Sequence, residues 1–237
     1  MQHIADITTT IQPGDTWQRE PPVTTRTLEK VSLAALDTSH PQVATAVQAA
    51  RDWQKRRRSD HLDASLVLAG PYGTGKTHIA RAILWTTVDG PEGHPDAWVP
   101  AGKFFMANDL LLLMAAHQDR ATGMVSAPRP STLVGSAPLV VIDDIGGEQS
   151  LPYISKDEQA MEIHARYFRF IDYCYTSMVG IIATTNLSIS GGNRSDFAAH
   201  IGGRAFDRLS QMAPAGFMVG LHGVPSWRVK SSGRPLT

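Results

Sequence analysis

The sequence is poor in the features that mark secreted, membrane-bound or nucleic-acid-coating proteins. A single cysteine, Cys174, stands in 237 residues, so no disulfide can form within the chain, which fits a reducing compartment. It sits among Phe168, Phe170, Tyr173 and Tyr175, the setting of a small core residue rather than of a reactive thiol. Neither sign of charge predominates, since 22 Lys and Arg balance 22 Asp and Glu. A globally basic nucleic-acid binder is excluded, and only local basic patches are left. Long hydrophobic runs are missing. The most apolar stretches, residues 110–116 and 179–183, fall far short of the ~20 residues a membrane span needs. Residues 1–10 lack the basic start and apolar run of a secretory signal. The expectation is a cytoplasmic protein with no membrane contact.

What is present is a regular alternation of short apolar runs and helical patterns. Residues 1–30 are rich in Thr and Pro and read as an extended, mobile arm. Val43, Val47, Ala50 and Trp53 fall at helical spacing behind Pro41, which predicts a helix over 41–57. Its end, Lys55 to Arg58, reads either as a solvated helix end or as a contact to a phosphate backbone. Apolar runs at 65–69, 103–106, 139–142, 179–184 and 217–221 predict five strands. Helices are predicted at 77–86, at 107–118 with Asn108 or Asp109 as cap, and at 156–177; residues 89–102 and 122–136 read as loops. Fully apolar strands separated by helices imply an α/β fold whose parallel sheet is covered on both faces.

Two patterns carry chemistry. Gly70-Pro71-Tyr72-Gly73-Thr74-Gly75-Lys76-Thr77 matches the phosphate loop G-x-x-x-x-G-K-[ST], behind a buried strand and opening a helix. Its glycines let successive N–H groups face an anion, and the helix amino end adds partial positive charge. Lys76 is placed to reach the β- and γ-phosphates of ATP, and the Thr77 hydroxyl to bind Mg²⁺. The second pattern is an apolar strand, 139–142, that ends in Asp143 and Asp144 about 67 residues after Lys76. Adjacent carboxylates at a buried strand end are costly without a partner. Beside a phosphate loop Asp143 suits the Mg²⁺ shell and Asp144 the activation of a water; capping of the following turn is the alternative. Asn186, at the end of another apolar strand, either orients that water or forms a turn. Arg204 and Arg208 share one face of a helix. They are candidates for an arginine finger or for pairing with Asp207 or another surface acid.

In order along the chain, these stretches resemble the AAA+ ATPases of the DnaC/DnaI/IstB group, the replicative helicase loaders and the ATPase helpers of insertion-sequence transposition. The likeness runs from about residue 31 to 229. It lies in the phosphate loop with its trailing His78, in Val141-Ile142-Asp143-Asp144-Ile145-Gly146, in Ile181-Ile182-Ala183-Thr184-Thr185-Asn186, in residues 202–209, and in Ser226-Trp227-Arg228. The resemblance implies a P-loop NTPase sheet of five strands in the order 5-1-4-3-2, with little or no lid. Residues 31–230 then form the ATPase domain, 1–30 an arm and 231–237 a tail. It also implies Arg208 as a finger acting on the next subunit, Arg228 as a nucleotide-sensing arginine, and a ring or spiral of subunits on DNA, in single-stranded form for a loader. Lys103, Arg120, Arg129 and residues 55–58 are the candidate DNA contacts. The implied partner is a replicative helicase, or a transposase if the chain is a helper acting on duplex DNA. Three departures from the group stand out: the region before the first strand is short, the loop at 89–102 is long, and Asp144 stands in place of Glu, one methylene shorter, a change the group tolerates. A P-loop kinase of small molecules and a non-catalytic ATP-binding switch are the readings from other classes.

Overall fold

The computed structural model describes residues 9–10, 31–58, 63–89, 102–115, 117–118, 125–126, 128–148, 156–214 and 216–227. Its strands are β1 (Thr9–Thr10), β2 (Leu66–Ala69), β3 (Gly102–Met106), β4 (His117–Gln118), β5 (Val125–Ser126), β6 (Leu139–Ile145), β7 (Gly180–Thr185) and β8 (Met218–Gly220). The helices are α1 (Pro41–Arg58), α2 (Lys76–Asp89), α3 (Ala107–Leu113), α4 (Pro130–Val134), α5 (Lys156–Thr176), α6 (Asp196–Ile201) and α7 (Gly203–Met212).

Five strands pair in parallel in the order β3-β6-β7-β2-β8, the expected arrangement. The short arm strand β1 adds a sixth, antiparallel member at the β3 edge, with Thr9 opposite Phe104. The strands are continuously apolar because each face meets a different helical layer. Leu66, Leu68, Leu139, Val141 and Ile182 pack with α1 and α2. Val67, Val140, Ile142, Ile181 and Ala183 pack with α3, α5, α6 and α7. Cys174 is fully buried in this second layer, and burial pushes its thiol far up, so it is an inert core residue.

On the first face Trp53 of α1 is 1% exposed and its Nε1 donates to Ala64 O at 2.8 Å. Trp53→Phe removes that bond and part of the volume. A loss of about 1–3 kcal/mol is expected, read as a lower urea midpoint with an unchanged slope. The Arg57 guanidinium lies 5.6 Å from the Trp53 ring and donates to Pro138 O at 2.6 Å. Burial lowers it to about 10, so it stays charged at neutral pH.

Three local expectations give way. The helix expected over 107–118 stops at Leu113, and His117–Gln118 pairs instead with Val125–Ser126 as a two-stranded ribbon. Its last carbonyls are met from α5: Arg166 Nη1 donates to Leu111 O at 2.6 Å and Arg169 Nη2 to Met114 O at 3.0 Å. The cap position is Met106, without a side-chain bond, so neither Asn108 nor Asp109 caps; Asp109 lies inside the first turn. The loop expected over 122–136 contains β5 and α4. Residues 90–101 of the other expected loop lie outside the described residues. No described helix is long and apolar enough to cross a membrane.

Candidate nucleotide site

The parallel register brings the carboxyl ends of β2, β3, β6 and β7 into one row, with Ala69 opposite Thr185 and Met106 opposite Asp143. In open α/β sheets the crevice beyond such a row is where ligands bind. Here it is a cavity of about 600 Å³ lined by residues 72–79, Asp143, Asp144, Thr184, Arg81, Met106 and Trp227, and on one side by Ala35, Leu36, Asp37 and Val43.

The phosphate loop is shaped by backbone that only glycine adopts easily. Gly73 and Gly75 have φ of +78° and +94°, and a Cβ on Gly73 would run into Ser226 Oγ. The Trp227 N–H donates to Gly73 O at 2.9 Å. The Ser226-Trp227 pair, whose Trp227 also lines the cavity, thus braces the loop at Gly73. Inside it, Lys76 is 7% exposed and its Nζ donates to the carbonyls of Gly70 and Pro71 at 2.7 and 2.8 Å. Pro71, Tyr72 and His78 are exposed at the rim, Tyr72 by 57%.

The two carboxylates owe their aim to an irregularity in the sheet. The register between β6 and β7 shifts between Ile142 and Ile145, so Asp143 and Asp144 sit in a bulge that turns the strand end. Thr184 of β7 fills it. Its Oγ1 donates to Asp143 Oδ1 at 2.6 Å and accepts from the Asp144 N–H at 2.9 Å. From the phosphate loop, Thr77 Oγ1 donates to Asp143 Oδ1 at 2.9 Å. Asp144 has φ of +62°, a conformation that short Asp tolerates better than longer acids. That accounts for an aspartate at a position where the resembling group also uses glutamate. Gly147 leaves room for it: a Cβ there would lie 2.6 Å from Asp144 Oδ2.

Asp143 is 3% exposed. Burial pushes its carboxyl above the ordinary aspartate range. The hydrogen bonds from Thr184 and Thr77 and the charges of Arg81 and Lys76 pull it down without cancelling that rise. A folded-state pKa above the unfolded one means the native state binds the proton more tightly, so stability falls as pH rises through that window. Asp143→Asn keeps an oxygen to accept from both threonines and removes the buried charge. The variant is expected to melt higher at neutral pH, by on the order of a few °C. Calorimetry over a pH series checks this: the difference between variant and parent shrinks as pH falls and Asp143 takes up its proton.

Asn186 donates from Nδ2 to the Tyr72 hydroxyl at 2.6 Å, and its Oδ1 is buried without a partner. It therefore stands beside the loop at Tyr72, and it does not line the cavity. Arg204 and Arg208 do not line the cavity. They lie on α7, stacked on α5: Arg204 over Phe168 at 3.9 Å, and Arg208 over Tyr175 at 4.8 Å with its Nε donating to Asp172 Oδ1 at 3.0 Å. The acid that pairs with Arg208 is thus Asp172 rather than Asp207. Arg228 and Arg120 lie outside the described residues, as does the Arg58 side chain. Lys103 is occupied in the fold, donating to Leu133 O at 2.7 Å, and burial lowers its pKa. Arg57 is packed away, whereas Lys55 and Arg129 are exposed.

Sequence reading missed five residues here. Thr184 and Arg81 had a faint signal, one as the polar end of an apolar strand and the other one helical turn after Thr77. Glu148 follows the carboxylates closely, but nothing local links it to Tyr167 and His200, which the fold brings against it.

The chain has the AAA+ P-loop fold. Similar solved structures include the DnaC helicase loader, with 21% identity over 82% of this chain and 97% of that one and a TM-score of 0.53. Another is DnaI, with 15% identity over 83% and 89% and a TM-score of 0.54. No family model matches the chain, and no curated protein matches it in sequence.

Proposed function

We propose that this chain is an ATPase that assembles head to tail on DNA and loads or remodels a replicative helicase, with ATP hydrolysed at the contacts between subunits. The observation that carries the reading is the meeting of a phosphate loop and two carboxylates in one cavity, Thr77 Oγ1 lying 2.9 Å from Asp143. The residues suit ATP and Mg²⁺. The loop glycines open a cradle of N–H groups, Lys76 lies along it, and a buried acid stands beside a hydroxyl. Thr77 and Asp143 would hold Mg²⁺, which would supply neutralising charge at the phosphates.

In this reading Lys76 and the loop N–H groups, with His78 at the rim, hold the triphosphate. Ala35, Leu36 and Trp227 also line the cavity and are the candidates to pack on the base of ATP. Asp144 takes a proton from the attacking water and Asn186 orients that water, with Tyr72 holding its amide. Arg208 of the neighbouring subunit, with Arg204 beside it, stabilises charge on the transferred group, and Arg228 senses the nucleotide. Residues 31–230 are the ATPase unit, 1–30 the arm that reaches a partner, and 231–237 a tail. The likeness of fold to DnaC and DnaI supports the replication reading.

Three measurements test it. Phosphate release should require Mg²⁺ and rise with protein concentration; activity per subunit that stays flat on dilution favours a self-contained kinase, and ATP binding without release favours a switch. Capture of the tagged protein from its own cell should recover a hexameric helicase. Recovery of a transposase, with tighter binding to duplex than to single-stranded DNA, turns the assignment to the transposition helper. DNA affinity should fall steeply with salt if phosphate contacts dominate.

A further inference from the structure

The cavity leaves one buried polar group of the same loop unused. Glu148 follows Asp144 by a short turn through Gly146, whose φ is +91°. Its side chain is 1% exposed. A carboxylate so placed is costly unless its oxygens are satisfied, and here they are. Oε2 accepts from the Gly146 N–H at 2.7 Å and meets His200 Nε2 at 2.9 Å, and Oε1 accepts from the Tyr167 hydroxyl. Burial pushes the Glu148 carboxyl up, but the bonds from His200 and Tyr167 and the charge of His200 outweigh it and hold it below the usual range. Asp144 is close enough to act on Tyr167 as well.

Three elements therefore meet on one carboxylate: the turn that carries Asp144, helix α5 through Tyr167, and helix α6 through His200. The last two also govern the arginines. Helix α6 passes into α7 through Gly202 alone, with hydrogen bonds running across it from Gly202 N to Ala198 O and from Phe206 N to Gly202 O. A Cβ on Gly202 would lie 2.9 Å from the His164 ring of α5. The junction is thus pressed against α5. Over the two turns that follow Tyr167, α5 presents Phe168, Asp172 and Tyr175 to Arg204 and Arg208. An apolar side chain of similar volume at 148 could be as stable as this buried charge. It would not tie the Gly146 N–H to α6. Buried polar networks set one discrete arrangement of the parts they join.

We propose that Glu148 is a positioning residue which, through His200 and Tyr167, locks the α6–α7 arm to the turn after Asp144 and so sets how Arg208 is presented to the neighbouring subunit. This rests on the shared-site reading above. The assay that isolates it is mixing with Lys76→Ala subunits, which have an intact arginine and a dead phosphate loop. A variant damaged only in its arginine arm regains turnover there, because its own good site meets the partner's arginine. A variant damaged in its own site, such as Asp144→Asn, does not.

Glu148→Gln and His200→Gln are expected to bind a fluorescent ATP analogue as the parent does and to lose about tenfold in phosphate release, part of which returns on mixing with Lys76→Ala. Tyr167→Phe, which removes one hydroxyl from the same carboxylate, carries the test if Glu148→Gln melts below the assay temperature. Unchanged turnover in these variants overturns the proposal. So does a loss that mixing does not restore, which places Glu148 in the service of its own site. Arg208→Ala is mixed in parallel: if it too fails to regain turnover, the shared-site reading itself is wrong.

Discussion

Arg208→Ala is expected to keep the parent's affinity for ATP and to lose on the order of 10³-fold in phosphate release. Affinity survives because Arg208 does not border its own cavity. On the proposed shared-site reading turnover falls, because an arginine reaching from the next subunit would meet charge that develops only as phosphate transfers. In the isolated chain Arg208 is paired with Asp172 and stacked on Tyr175, with 37% of its side chain exposed. A half-exposed pair of this kind is worth about 1 kcal/mol or less, so release toward a neighbour costs little. Asp172→Asn should therefore change turnover by only a few-fold, whereas Arg208→Lys should fall near the alanine variant, for want of a planar multidentate donor. The decisive reading is a dilution series: the parent's activity per subunit falls as subunits separate, and that of Arg208→Ala is low throughout. A parent activity independent of concentration would return Arg208 to a surface role.

Lys76→Ala and Asp144→Asn should separate binding from chemistry. Lys76 lies inside the loop on the carbonyls of Gly70 and Pro71, so its removal takes away the charge that faces the phosphates, and ATP affinity collapses. Asp144→Asn leaves the loop untouched. Its backbone at φ +62° suits Asn as well as Asp, so the substitution removes charge without moving the turn. Affinity should be kept while turnover drops by about 10²–10⁴-fold, the usual worth of a general base. Equilibrium titration with a labelled nucleotide and single-turnover phosphate release give the two quantities independently. Full turnover in Asp144→Asn would pass the role of base to another group.

Much of this site was legible in the residues. The phosphate loop and the strand ending in Asp143 and Asp144 are local patterns, because the backbone of each is dictated by a few neighbours: glycines where φ is positive, and an apolar run where both faces are covered. Strand positions and the α/β class follow for the same reason. The end of α3 was not legible, since two arginines of α5, some 55 residues away in sequence, receive its last carbonyls. Nor was the fate of the cations. Lys103 and Arg57 look like exposed charges in sequence and become donors to the Leu133 and Pro138 carbonyls in the fold.

The sequence by itself determined the glycine-rich loop, the pair of acids that faces it and the layered sheet that carries both, because each depends on residues adjacent in the chain. Tertiary structure alone decided how they are joined. Thr184 reaches across from β7 to aim Asp143, Asp172 rather than Asp207 holds Arg208, and Glu148 gathers Tyr167 and His200 into one buried knot. The reason is physical. A buried carboxylate takes whatever donors the packing of distant helices and strands delivers, and no local pattern records which those are.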